Sequence, residues 1–90
     1  MNELYLEVTY RSGKVLAAYL YLPRRENDWS VRVEKRAAGL LVDFAADDRP
    51  IGIEIVIDLE VSIDAVNDIL TSYGFRPLGE REFAPLKRAA

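Results

Sequence analysis

Two carboxylates, Asp43 and Glu54, are the residues of this sequence that come closest to a chemical arrangement. They lie in two neighbouring stretches of alternating polar and apolar residues, and both fall on the less apolar side of their stretch. Paired carboxylates can hold Mg²⁺ or Ca²⁺, or act as a general acid and base. Polar positions that point outward and fix the orientation of two strands would look the same, and the sequence favours that structural interpretation.

A second acidic feature is the pair Asp47 and Asp48, in a short polar segment that ends at Pro50. Adjacent aspartates can belong to a calcium-binding loop, but the regular spacing of acidic residues and the later glutamate of such a loop are missing. Aspartates also stabilise turns by accepting hydrogen bonds from their own backbone. We therefore expect an ordinary turn here.

The residue types that most enzymes depend on are absent, since the sequence contains no histidine and no cysteine. Without them a Ser-His-Asp or Cys-His arrangement is impossible, and zinc and copper sites lose their preferred ligands. The glycines are dispersed and form no phosphate-binding loop. The sequence thus favours a function other than catalysis and predicts no catalytic residue, cofactor or metal ligand, with the carboxylate pair as the alternative.

The elements that position these residues are mostly β-strands, because apolar residues alternate with polar ones along much of the chain. Prolines and small turn residues separate the alternating stretches. Sequential strands usually pair, so the sequence predicts an α+β fold with an antiparallel meander of about five strands. The predicted strands are Leu4–Tyr10, Val15–Leu22, Trp29–Ala37, Leu40–Ala45 and Ile51–Ile57.

One helix follows the strands and is expected to pack on one face of the sheet. Ser62 has the side chain of a helix N-cap, Asp64 suits the first turn, and Gly74 lies where a C-terminal cap belongs. The predicted helix runs from about Ile63 to Tyr73. Its apolar residues share one face at helical spacing: Ile63, Val66, Ile69, Leu70 and Tyr73.

The length of 90 residues indicates a single domain, which we place at residues 1–74. The remaining residues, 75–90, contain two prolines and many charges. They predict a C-terminal tail that is extended and partly ordered, with a short helical turn near Gly79–Phe83.

The sheet has more apolar residues than one helix can cover, because the second predicted strand is apolar on both sides. An open apolar face needs a cover, which could be the tail, a second copy of the chain or another protein. We therefore expect a homodimer or a complex with another small protein. The candidate interface residues are Tyr5, Val15, Tyr19, Tyr21, Trp29, Phe75, Leu78 and Phe83.

The composition bears on the partner and on the location. Trp29 and the tyrosines could also stack on nucleic-acid bases, but a net charge of −3 argues against binding a phosphate backbone. No signal peptide is recognisable at Met1, and no apolar run is long enough to span a bilayer. We expect a cytoplasmic protein that binds neither nucleic acid nor membranes.

The segment from Ala38 to Phe44, followed by Asp47 to Ile55, resembles the domain-of-unknown-function 2283 family of small bacterial proteins. The matching residues are Asp43, Asp47, Gly52, Ile53, Glu54 and Ile55. The likeness extends over about Leu4 to Ile57, and the helix and tail look like a C-terminal extension. The family has no established activity. Some members look like antitoxins of two-gene modules, so the resemblance implies that this chain binds a partner protein.

Overall fold

The computed structural model describes residues 4–56 and 61–87. Five strands form a single sheet, and two helices follow them. Ile57, the last residue of the predicted fifth strand, lies outside the described residues. The elements are β1 (Tyr5–Arg11), β2 (Lys14–Tyr21), β3 (Arg32–Ala37), β4 (Leu40–Phe44), β5 (Pro50–Ile55), α1 (Ile63–Ser72) and α2 (Glu80–Lys87).

The α+β fold with five antiparallel strands is confirmed, but the prediction of a simple meander is wrong. The strands lie in the order β1-β2-β5-β4-β3, so β2 pairs with β5 and not with β3. The burial of the strands explains this order. Four of the six residues of β5 are buried, whereas five of the six residues of β3 are exposed. Placing β5 at the centre and β3 at an edge buries the apolar strand and leaves the charged one in water.

The connection between β2 and β3 crosses the ends of two strands to make this order possible. It leaves the sheet beside β5, where Leu22 donates to the carbonyl of Ile51, and rejoins it beside β4, where Val31 donates to Phe44. Arg49 holds the crossing segment through two hydrogen bonds of 2.8 and 3.0 Å to the carboxylate of Asp28. The crossing takes up the residues before Arg32, so β3 is shorter than the predicted strand.

The helix α1 matches its prediction closely. The Ser62 hydroxyl accepts a 3.1 Å hydrogen bond from the backbone N–H of Ala65, as expected for an N-cap. The helix ends at Ser72, and Gly74 follows with a positive φ of 82°. The apolar side of α1 packs on the sheet through Val66, Ile69 and Leu70, which are buried.

The prediction of an extended tail is wrong for Glu80–Lys87, which form a longer helix than the short turn predicted near Gly79–Phe83. Residues Glu80–Lys87 form α2, and Leu78, Phe83 and Leu86 enter the same core as α1 and the sheet. Phe83 and Leu86 are three residues apart, so a helix brings both to one side. The core therefore continues past the boundary drawn at residue 74. Among the described residues, no helix is both long enough and apolar enough to cross a membrane.

Candidate functional site

The helices cover one side of the sheet, and none of the described residues forms a second layer on the other side, which we call the open face. Strand pairing places its side chains in two rows that run across all five strands. The charged row consists of Glu7, Tyr19, Glu54, Leu41 and Lys35, in the order of the strands. The aromatic row consists of Tyr5, Tyr21, Gly52, Asp43 and Val33.

Apolar side chains on the open face are in contact with water. Tyr5 is 48% exposed, Val33 is 52% exposed and Val56 is 39% exposed. Tyr21 and Leu41, which lie further inside, are half-buried. The most exposed of these residues, Tyr5 and Val33, lie on the two edge strands, and the half-buried Tyr21 and Leu41 lie between them.

The centre of the open face is organised by one hydrogen bond across the sheet. The Tyr19 hydroxyl donates to Oδ2 of Asp43 at 2.7 Å. Asp43 is buried, with 6% of its surface exposed, so this bond satisfies a carboxylate that water barely reaches. The Tyr19 ring crosses over Gly52 on the strand between them: a Cβ at that position would lie 1.7 Å from the tyrosine oxygen. The missing side chain of Gly52 is what allows Tyr19 to reach Asp43.

Three tyrosines and an arginine continue this arrangement towards the sheet edge. The rings of Tyr19 and Tyr21 meet edge to face at 4.7 Å, and those of Tyr21 and Tyr5 at 5.7 Å. The Arg24 guanidinium lies over the Tyr21 ring at 4.9 Å and donates to the Ile51 carbonyl at 2.5 Å. These contacts join the three tyrosine rings and the Arg24 guanidinium into one continuous aromatic cluster on the open face.

Two groups of the open face, Tyr19 and Glu54, have pKa values above their ordinary ones. Burial and the hydrogen bond to Asp43 raise the pKa of Tyr19 far above its ordinary value, so its hydroxyl remains a donor. Burial, and then the nearby negative charge of Asp43, raise the pKa of Glu54. Both shifts indicate a region where an added negative charge is unfavourable.

A shallow depression of about 270 Å³ lies on the open face beside Tyr19. Glu7 and Thr9 of β1 border it on one side, and Leu41 and Glu54 border it on the other. It is open to solvent and combines apolar walls with two carboxylates. A side chain of a partner could enter it.

The predicted interface residues separate into distinct places. Tyr5, Tyr19 and Tyr21 lie together on the open face, as described above. Trp29 is 67% exposed and lies in the crossing connection, where it borders a different depression of about 240 Å³ beside Asp28 and Arg49. The side chain of Val15 lies outside the described part of the chain.

The three predicted tail anchors lie on the helical side of the sheet, away from the open face. Leu78 and Phe83 are buried, and Phe75 is half-buried against the same core. The tail therefore does not cover the open face as the sequence suggested it could. The tail instead folds as α2, which buries their side chains within the chain itself.

Asp43 has different surroundings from those predicted, whereas Asp47 and Asp48 lie in the expected turn. Asp43 does not point outward into water, and its Oδ2 is occupied by Tyr19, whereas Glu54 is half-buried in the neighbouring row. Asp47 pairs with Arg49 at 2.6 Å and Asp48 has the positive φ of a turn residue, so the segment between β4 and β5 is a turn. The described residues contain no group of three or more acidic side chains that could hold a metal ion.

Two residues of the open face were missed from the sequence, Arg24 and Gly52. Gly52 had a signal: a glycine inside an otherwise β-branched strand indicates that another group approaches the backbone closely. Nothing in the sequence indicates which group, because Tyr19 lies on a strand whose pairing with β5 was not predicted. Arg24 follows Pro23 in a polar segment and looks like any surface arginine.

Comparison with known proteins adds no relative. A scan against models of protein families found no match, and searches of curated proteins and of solved structures found no similar chain. The resemblance to the domain-of-unknown-function 2283 family therefore stays a prediction, and function has to be argued from the open face.

Proposed function

We propose that this chain is a non-enzymatic protein-interaction module that associates with a second copy of itself through the open face. The observation that carries the proposal is the contrast between the two sides of one sheet. The helical side holds the buried core, while the other side presents half-buried and exposed apolar residues, Tyr5, Leu41 and Val33 among them. A second sheet packed face to face would bury such residues.

The size of the open face fits a weak dimer. Five strands about 4.8 Å apart carry the two full rows and a partial third row of Thr9, Ala17 and Val56, which together cover roughly 500 Å² per chain. Two chains would bury roughly 1,000 Å², at the lower end of specific protein interfaces. We therefore expect a dissociation constant in the micromolar range, in which monomer and dimer coexist at laboratory concentrations.

Sedimentation velocity over a wide concentration range tests the proposal. The purified chain should shift from monomer to dimer as its concentration rises. Leu41→Lys places a charge at the centre of the open face and should weaken the dimer by more than tenfold. Ala38→Lys is the matched control, because it adds the same charge in the exposed turn between β3 and β4 and should leave the dimer unchanged. Far-ultraviolet circular dichroism verifies that both variants fold.

A chain that remains monomeric at every concentration would overturn self-association. Equal weakening by the Leu41 and Ala38 variants would show that charge, and not the open face, controls association. A cytoplasmic location and an antitoxin-like role, in which the partner is a toxin, remain predictions within the same interaction hypothesis.

The alternative proposal is that the carboxylates of the open face bind a ligand or metal ion. It is favoured by the depression that Glu7 and Glu54 border. Calorimetric titration with Mg²⁺, Ca²⁺ and Mn²⁺ separates the two proposals. Heat of binding that disappears in Glu54→Gln would support the alternative, and no heat with any of the three ions would remove it.

A further inference from the structure

The charged row of the open face is polarised from one edge of the sheet to the other. Glu7 lies on the edge strand β1, Lys35 lies on the opposite edge strand β3, and both are exposed. Four strand spacings separate them, which is about 19 Å. Tyr19 and Leu41 fill the positions between the edges and the central Glu54. The row therefore reads negative, apolar, negative, apolar, positive.

A symmetric dimer of two stacked sheets has two simple ways to place its two-fold axis. An axis perpendicular to the strands stacks each strand on its own copy. When this axis passes through the charged row, Glu7 meets Glu7 and Lys35 meets Lys35. An axis parallel to the strands reverses the strand order, so Glu7 of each chain meets Lys35 of the other. Like charges in contact oppose association, while opposite charges favour it and fix the register.

We infer that the dimer axis runs parallel to the strands, along β5, so that Glu7 of each chain faces Lys35 of the other. This inference rests on the proposed function, since it specifies the geometry of that dimer. The aromatic row supports the same axis. It brings the exposed Tyr5 of one chain onto the exposed Val33 of the other, so the apolar ends of the row also meet. The sheet twist tilts these pairs by about 30° without changing which edges meet.

The position of the axis has its own consequence at the middle of the interface. Glu54 lies on the central strand, so the two copies of Glu54 face each other across the axis. Tyr19 on β2 and Leu41 on β4 flank it, and the negative charge of Asp43 also acts on it. Two carboxylates in this position repel each other unless one is protonated. Glu54→Gln should therefore tighten the dimer, by about tenfold.

Charge-reversal variants, measured by sedimentation velocity, test the axis. Glu7→Lys and Lys35→Glu each convert two attractive pairs into repulsive ones and should weaken the homodimer by about tenfold. A mixture of the two variants should recover the wild-type affinity, because both contacts of the heterodimer are then attractive. Asp68→Lys and Arg81→Glu make the same charge changes on the exposed surface of the helices and serve as matched controls.

The outcomes separate this inference from the proposed function. Weakened homodimers that recover on mixing support the parallel axis. Two results would contradict the parallel axis: reversals that leave the dimer unchanged, or weakened homodimers whose affinity does not recover on mixing. Neither result would contradict self-association. A wild type that never dimerises overturns the proposed function instead. Circular dichroism of each variant excludes misfolding as the cause of a weakened dimer.

Discussion

The contact between Tyr19 and Gly52 makes a sharp prediction about the substitution Gly52→Ala. Alanine normally suits a strand better than glycine, by about 0.5–1 kcal/mol. At this position its Cβ would lie 1.7 Å from the Tyr19 oxygen and 2.2 Å from Cζ. The ring has to move, and the 2.7 Å hydrogen bond to the buried Asp43 is lost.

The expected magnitude follows from those two opposing effects. Losing a hydrogen bond to a buried carboxylate costs about 1.5–3 kcal/mol. Subtracting the gain in strand propensity leaves a net loss of about 0.5–2.5 kcal/mol. For a domain of this size the loss corresponds to a fall in melting temperature of about 2–20 °C.

A double-mutant cycle isolates the contact. The free energy of unfolding is measured by urea denaturation with circular dichroism, at a protein concentration where the monomer dominates. In a Tyr19→Ala background the three atoms nearest to the new Cβ, which all belong to the Tyr19 ring and hydroxyl, are gone, so Gly52→Ala should be neutral or stabilising. Tyr19→Phe removes only the hydroxyl and should by itself cost about 1.5–3 kcal/mol. Equal destabilisation by Gly52→Ala in both backgrounds would refute the reasoning.

Two further predictions concern the attachment of α2. Asn67 bonds both the N–H and the carbonyl of Leu78, at 2.7 and 3.1 Å, so Asn67→Ala should lower the free energy of unfolding by about 1–3 kcal/mol, with Thr71→Ala on the exposed side of α1 as the control. Arg76 lowers the pKa of Glu82 from 4.5 to about 2, so the stability from this pair is present above pH 4.5 and is lost as the pH falls towards 2. Thermal melts should therefore show the deficit of Glu82→Gln shrinking over that range, and a deficit that is the same at pH 7 and pH 2.5 would contradict it.

The sequence predicted the local elements well because their signals are local. The alternating isoleucines of β5 and the cap at Ser62 each act within a few residues, and the structure confirms both elements. Strand order is different, because it depends on which strands tolerate water on both sides. The charges of Arg32, Glu34 and Lys35 were visible in the sequence and would have placed β3 at an edge. The prediction gave more weight to the tendency of sequential strands to pair than to these charges.

The helix α2 was predicted only as a short turn, because the composition of the tail disfavours a longer helix. Pro85 lacks a backbone N–H and argues against a helix at that point. The helix survives because tertiary contacts hold it: Phe83 and Leu86 are buried, and Glu82 accepts a hydrogen bond from the N–H of Gly79 at the first turn. Burial of this kind outweighs a weak local preference, but only a known packing partner reveals it.

The misjudged tail also changes what the open face means. If Phe75, Leu78 and Phe83 had covered the open face, its apolar residues would have been buried within the chain itself. These residues pack against the core on the helical side instead, so they do not cover the open face. The Tyr19–Asp43 bond then has no described layer above it, although it keeps a buried carboxylate and three tyrosine rings in fixed positions. A surface held rigid in this way loses little conformational entropy when a partner docks, which is the property expected of a binding face.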